Sequence, residues 1–253
     1  MKENYDVKSF FDYLGYPSGD QPYTNENLRT LSVYCRGNRA NLEALLKPTP
    51  FELADDRFVV QIADFGNASC GPYYDSGIVI PVRYKDTIGA NYFFEFEDTN
   101  WSVTFGREVW GYPKQFGEIE LEDNAALVEG SVRRAGDQIF DISMTPKADF
   151  TNDAWSDMHT YPHLQVHYLP EANGSGFKIF EIVGRDTSKD FVLKSKVFGP
   201  AKVQLSDTLS VKGIKLEIEE ILGGEYSVGD YACTVENGIS WVIDDLLASR
   251  ETP

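Results

Sequence analysis

Residues 106 to 118 read GREVWGYPKQFGE and place one lysine, Lys114, between Pro113 and Gln115, among aromatic and glycine neighbours rather than in a charged run. A lysine in such a setting has a chemistry that a solvated lysine lacks, which is attack of its amine on a keto carbon to form an imine. The amine must be neutral to attack, and from an ordinary pKa of ~10.4 fewer than about one in a thousand lysines are neutral at pH 7. Desolvation or a neighbouring cation lowers that pKa. Phe105, Trp110, Tyr112 and Phe116 are the nearby residues expected to supply an apolar wall. The competing reading is a solvated turn lysine, because turns favour Gly and Pro.

Other chemistry-bearing residues carry less. His159, His163 and His167 recur every four residues, but Pro162 opposes a helix there. In a strand, consecutive members of the set would stand ~13 Å apart, too far to share one metal. Cys35, Cys70 and Cys233 are distant and unpaired in sequence, which points to neither a disulfide framework nor a zinc site. No G-x-S-x-G nucleophile motif is present, and Ser69-Cys70-Gly71 has no local feature to activate its thiol. Glu95 with Glu97, and Glu118 with Glu120 and Glu122, alternate as a solvated sheet face does. Asp75 differs: it sits in the Tyr-Tyr-Asp-Ser-Gly turn ahead of the apolar run GIVIPV, where a carboxylate can project into a barrel mouth.

The elements that must position these groups are mostly strands. FVVQIADF, GIVIPVRY, ANYFFEFE, SVTFG, GEIELED, AALVEGSVRR, QIFDISM, HLQVHYL, KIFEIVGRD and AKVQLSD are short, alternating and rich in Val, Ile, Phe and Tyr. Leu28 to Cys35 alternates in the same way. Ala-Gly-Asp in VRRAGDQIF is a hairpin signal. Asn38 to Leu46 has helical spacing with an Asn near its start and Pro48 beyond its end, and Ile239 to Leu247 is also expected to be a helix. Many short strands with few helices predict a mainly β (α+β) antiparallel system folded into a barrel or sandwich, as one domain over 1–253. Neither β-α-β alternation nor G-x-G-x-x-G suggests a dinucleotide fold.

Composition bounds the partners. With 40 acidic and 23 basic residues, the formal charge of -17 opposes binding to nucleic acid or to an anionic membrane. No apolar h-region opens the chain and no run approaches a membrane span, which gives a cytoplasmic reading.

Taken in order, GRE-x-x-x-YPK at Gly106 to Lys114, NLRTLSVYCR around Arg29, Pro48 to Glu52, YYDSGIVIPV from Tyr73, YPHLQVHYLP from Tyr161 and GPAKVQLSD from Gly199 resemble the acetoacetate decarboxylase family. The resemblance runs from about Tyr16 to about Leu246. It implies a closed, double-layered antiparallel β-barrel or β-cone with a few peripheral helices, assembled as a homo-oligomer, acting on a small keto acid with no metal or organic cofactor. It also implies that Lys114 forms the Schiff base, activated in the way acetoacetate decarboxylase itself illustrates. Arg29 matches the family's carboxylate-holding arginine, Gln61 and Asp75 stand at two glutamate positions, and Gln115 stands where a second lysine is expected. Gln115, Trp110, Tyr112, Glu108 and Tyr231 are expected in the substrate pocket. Glu108 and Tyr231 are candidates for a distal acid, Glu108 having an ion pair with Arg107 as its alternative role. Three functions fit: decarboxylation of acetoacetate or another β-keto acid, a pyruvate aldolase-dehydratase reaction through the same lysine, and small-molecule binding without catalysis.

Overall fold

The computed structural model describes residue 14 and residues 23–158, 162–233 and 240–248. His159 and the start of the family-like region lie outside them. In chain order the first half runs β1 (Tyr23–Gly37), α1 (Arg39–Leu46), β2 (Glu52–Leu53), β3 (Arg57–Asp64), β4 (Tyr74–Tyr84), β5 (Thr87–Glu97), α2 (Asn100–Trp110), β6 (Lys114–Phe116) and β7 (Glu118–Asp123). It continues β8 (Val128–Arg134), β9 (Asp137–Met144), β10 (His163–Pro170), β11 (Phe177–Arg185), β12 (Phe191–Gly199), β13 (Ala201–Leu205), β14 (Ser210–Val211), β15 (Ile214–Lys215), β16 (Ile218–Cys233) and β17 (Trp241–Asp245).

Strand alternation builds two layers. The large sheet has the order β12-β16-β1-β3-β4-β5-β10-β11-β17, with β2 and β6 attached at β4 and β5, and the small one has the order β13-β9-β8-β7. Leu31, Val33 and Cys35 of β1, Phe58, Val60 and Ile62 of β3, and Ile78, Ile80 and Val82 of β4 share a core with Val128, Val132, Phe140, Ile142 and Met144 of the small sheet. Each fully buried aliphatic of this kind contributes roughly 1.5–3 kcal/mol relative to exposure. The intervening residues face the other way and form the floor of a cavity.

The expected closed barrel is not what forms. The path ends at β12 and β17, and among the described residues no pairing joins those edges. Closure needs one continuous register around the ring, and here β5 meets β10 at a single parallel pair, Ala90 with His163. No helix among the described residues is long and apolar enough to cross a membrane.

Three local readings also change. SVTFG belongs to helix α2: Ser102 and Gly106, four residues apart, are its buried face, and small side chains there let the helix lie close to the sheet. Of the stretch expected to be a helix, Ile239 lies outside the described residues and Trp241–Asp245 forms strand β17, pairing with β11. The longest strand, β16, has a Gly-Gly interruption that hid its alternation. Elsewhere the pattern holds: Asn38 caps α1 by accepting from the Asn41 N–H at 3.1 Å. Ala135 and Gly136, both at positive φ, turn β8 into β9 as a two-residue hairpin loop requires.

Candidate active site

The cavity floor is a ladder of cross-strand rows. Thr30, Ala63, Asp75 and Glu97 pair in the first row, Ser32, Gln61, Gly77 and Glu95 in the second, and Tyr34, Val59, Val79 and Tyr92 in the third. Rows two residues apart stand ~7 Å from each other. The cavity has a volume of about 730 Å³. It is acidic at the first two rows and apolar at the third, where Trp155 stacks on Tyr34 with ring centres 4.8 Å apart.

Lys114 enters this cavity because of what precedes it. Gly111 adopts φ 72, the left-handed C-cap of α2, and the N–H groups of Gly111 and Tyr112 donate to the carbonyls of Arg107 and Gly106. Pro113 then leads into β6, parallel to β5, with Lys114 beside Glu95. Gly106 completes the fit, since a Cβ there would lie 2.5 Å from Lys114 Cδ and Cε. The glycine and the lysine of the GRE-x-x-x-YPK motif are therefore in contact.

Lys114 is 7% exposed, and its ammonium donates to Glu97, reaches Asp75 Oδ2 at 3.3 Å and lies 3.4 Å from Glu95 Oε1. Glu95 and Glu97 are each 1% exposed, so they are not the solvated sheet face expected of alternating glutamates. One oxygen on each of Asp75, Glu95 and Glu97 has no hydrogen-bond partner among the described residues.

The charges in this cluster are coupled. Burial pulls the Lys114 ammonium down, but Glu97, Asp75 and Glu95 together outweigh burial and hold it above its ordinary range. The depressed amine expected from desolvation and a neighbouring cation is not present in this resting site. Burial pushes Glu97 up to about 7 and Glu95 well above the usual carboxylate range, each opposed by Lys114. The lysine and its glutamates thus hold protons as a unit, and a proton passing from Lys114 to Glu97 leaves a neutral amine beside a neutral acid.

The other expected residues divide. Asp75, Gln61, Trp110, Tyr112 and Tyr231 line the cavity with Phe105. Gln61 donates to the Tyr92 hydroxyl at 2.7 Å. Arg29 turns to the opposite face of β1, between the cavity-lining Leu28 and Thr30, and its Nε donates to Asp64 at 2.9 Å. Strand parity is the reason, since adjacent residues point to opposite faces. Gln115 faces away from Lys114 by the same rule and accepts from Arg134. Glu108 is exposed on α2, where its carbonyl accepts from His167 at 2.9 Å, and Arg107 donates instead to the Lys114 carbonyl and the Tyr168 hydroxyl, each at 3.1 Å. Phe116 is 50% exposed and forms no part of the wall.

Sequence reasoning missed Glu95, Glu97, Tyr92, His163 and Arg185, all of which line the cavity. For the two glutamates a signal existed: in FFEFE they alternate with phenylalanines, a pattern equally suited to an acidic cavity wall. His163 is 8% exposed, its Nδ1 pairs with the Tyr112 hydroxyl at 2.6 Å, and burial, reinforced by Arg185, pushes it down to about 3.

Comparison with known proteins places this geometry in context. Residues 15–239 match the family model described as Acetoacetate decarboxylase (ADC). An acetoacetate decarboxylase of Acidiphilium cryptum (strain JF-5) is 30% identical over 219 residues, covering 85% of this chain and 87% of that one. Among solved structures, the acetoacetate decarboxylase of Legionella pneumophila superposes with a TM-score of 0.78 at 20% identity, covering 98% of this chain and 100% of that one. The enduracididine biosynthesis enzyme MppR complexed with pyruvate superposes at 0.69 with 17% identity, covering 89% and 91%.

Proposed function

The chain belongs to the acetoacetate decarboxylase family, and from that premise we propose that it is a carbon–carbon lyase acting on a small β-keto acid through an imine on Lys114. The observation that carries this reading is a buried lysine amine on the cavity wall, in hydrogen-bond contact with a glutamate that burial pushes up to about 7. A base poised near the working pH is the one best suited to take the lysine proton.

The reaction follows from these groups. Lys114 gives a proton to Glu97, and the free amine adds to the keto carbon. The carbinolamine oxygen takes a proton from the acid cluster and leaves as water, giving an iminium. The bond to the substrate carboxylate then breaks, CO2 departs, and its electron pair moves through the new carbon–carbon double bond to neutralise nitrogen. Protonation of that enamine carbon and hydrolysis release the ketone and return the lysine. Asp75 and Glu95 stand beside the same nitrogen to carry protons, Gln61 is a neutral hydrogen-bonding partner in the row of Glu95, and the scheme uses no metal or organic cofactor.

One observation favours a second reading, condensation of pyruvate with an aldehyde followed by loss of water. Asp75, Glu95 and Glu97 supply more acid–base groups than loss of CO2 consumes. The two readings share the imine and separate by product. Borohydride reduction with acetoacetate or pyruvate is expected to add to the peptide carrying Lys114 the mass of the substrate, or for acetoacetate of its ketone product after loss of CO2, and Lys114→Ala to abolish it. Absence of adduct with both substrates, or equal trapping in the variant, refutes the imine. CO2 release from acetoacetate identifies the first reaction, and an ultraviolet band from a conjugated enone the second.

The proposal extends to a homo-oligomer working in the cytoplasm. Supporting assembly, both ends of the large sheet expose apolar residues: Val192 and Val197 on β12, Trp241 and Val242 on β17. Exposed apolar edge strands pair readily with another chain.

A further inference from the structure

The substrate's acid end needs a cation inside the cavity, and with Arg29 on the far face of β1 that cation must come from elsewhere. Arg185, the last residue of β11, lines the cavity. Its guanidinium lies 3.8 Å from the centre of the Trp110 ring. Nη1 donates to the Tyr112 hydroxyl at 3.4 Å and Nη2 to the Tyr231 hydroxyl at 3.3 Å.

Two facts orient it toward the reaction. The guanidinium carbon is 6.0 Å and the Lys114 amine 5.2 Å from the centre of the same Tyr112 ring. Both cations therefore border the same ring on the cavity wall. Asp75, Glu95 and Glu97 crowd the β4–β5 side of Lys114. A carboxylate is repelled from that side and turned toward the aromatic side, where Arg185 stands. Stacking on Trp110 holds the guanidinium plane while its N–H groups point outward along that plane, the geometry that grips a carboxylate with two bonds.

We propose that Arg185 is the seat of the substrate carboxylate, flanked by the Tyr112 and Tyr231 hydroxyls, and so sets the preference of this site for keto acids over neutral ketones. This inference rests on the Lys114 imine. It is tested by borohydride labelling of Lys114 in the full-length protein with two probes, acetoacetate and acetone, at a series of concentrations. In the wild type acetoacetate labels at the lower concentration. Losing one partner of an enclosed, charge-assisted contact is worth on the order of 10²-fold in affinity. Arg185→Met is expected to reduce the labelling preference for acetoacetate over acetone by about that factor. Arg185→Lys, which keeps the charge and loses the fork, is expected to recover part of it.

Retention of the wild-type preference in Arg185→Met overturns the proposal. So does an equal fall in labelling by both probes, which would make Arg185 a prop for Trp110 and Tyr112. Failure of both probes to label the wild type would instead refute the imine, and the inference with it.

Discussion

Replacing Gly106 with alanine tests whether the placement of Lys114 is set by the helix it crosses. The new Cβ would lie 2.5 Å from Lys114 Cδ and Cε and 3.2 Å from Nζ, whereas ordinary contact begins near 3.4 Å. The lysine chain must retreat by the difference, about 0.9 Å, and the cavity side offers the space. A misplacement of ~1 Å at a reacting atom costs on the order of 10²-fold in rate. Folding is not expected to suffer in proportion. Gly106 is inside α2 at an ordinary helical φ, and alanine is favoured over glycine there by roughly 1 kcal/mol. That gain opposes the loosened pairing with Glu97, so Tm is expected to stay within about 4 °C of wild type. The assay is the time course of borohydride-trapped adduct on Lys114 over a range of acetoacetate concentrations, with thermal unfolding in parallel. Trapping within threefold of wild type, in a folded protein, would show that the close approach does not position the amine.

Other outcomes follow from the charges and from strand parity. Glu97 accepts a proton only as a carboxylate, and burial pushes it up to about 7. Trapping is therefore expected to rise with pH through 7, and Glu97→Gln to remove that step and slow trapping on the order of 10²-fold; an unchanged pH profile would exclude Glu97 as the base. His163 is pushed down to about 3 by burial and Arg185, so between its ordinary pKa and that value the unfolded chain binds a proton that the folded chain refuses. Its stabilising contribution is complete above ~6.5 and is lost as pH falls, roughly 3 kcal/mol by pH 4. Urea unfolding at pH 7 and pH 4 should show a smaller acid loss in His163→Asn. Arg29→Met and Gln115→Lys are expected to leave the half-saturating acetoacetate concentration for trapping within threefold of wild type, because both residues face away from the cavity. A change near 10²-fold in either would return that residue to the site.

Much of this was readable in the chain because side-chain alternation and turn chemistry are local. The runs from β3 to β5 and the Ala135-Gly136 hairpin declare themselves, and Lys114 stands out by its neighbours. Which face of an alternating strand looks into a cavity is not local, however. ANYFFEFE fixes that Glu95 and Glu97 share a face, but only the packing of the opposite face against β7 to β9 decides that theirs is enclosed. For the same reason the motif around Arg29 does not show which way its side chain turns: a motif locates a strand, whereas parity assigns each side chain to a layer. Arg185 had no signal near it, since Trp110, Tyr112 and Tyr231 meet it from α2, the turn after it and β16. SVTFG has the β-branched content of a strand, but it lies within the helix that Gly111 caps in the left-handed conformation.

The rows of the cavity floor separate two jobs along the same strands. On β1, β3 and β4, one set of alternate residues holds the sheets together and the other set faces the reactants, and on β5 a bulge between Tyr92 and Phe94 keeps Tyr92 in the second set. Substitutions in the second set can alter charge, depth or width with the core untouched, so new substrates can be accommodated row by row. Inserting or deleting one residue is a different kind of change, because it exchanges the two sets over the rest of the strand: Ile62 and Ile78 would look into the cavity while Gln61 and Asp75 entered the core. Diversification of this scaffold is therefore expected to proceed by substitution within these strands, with length changes confined to the loops that join them.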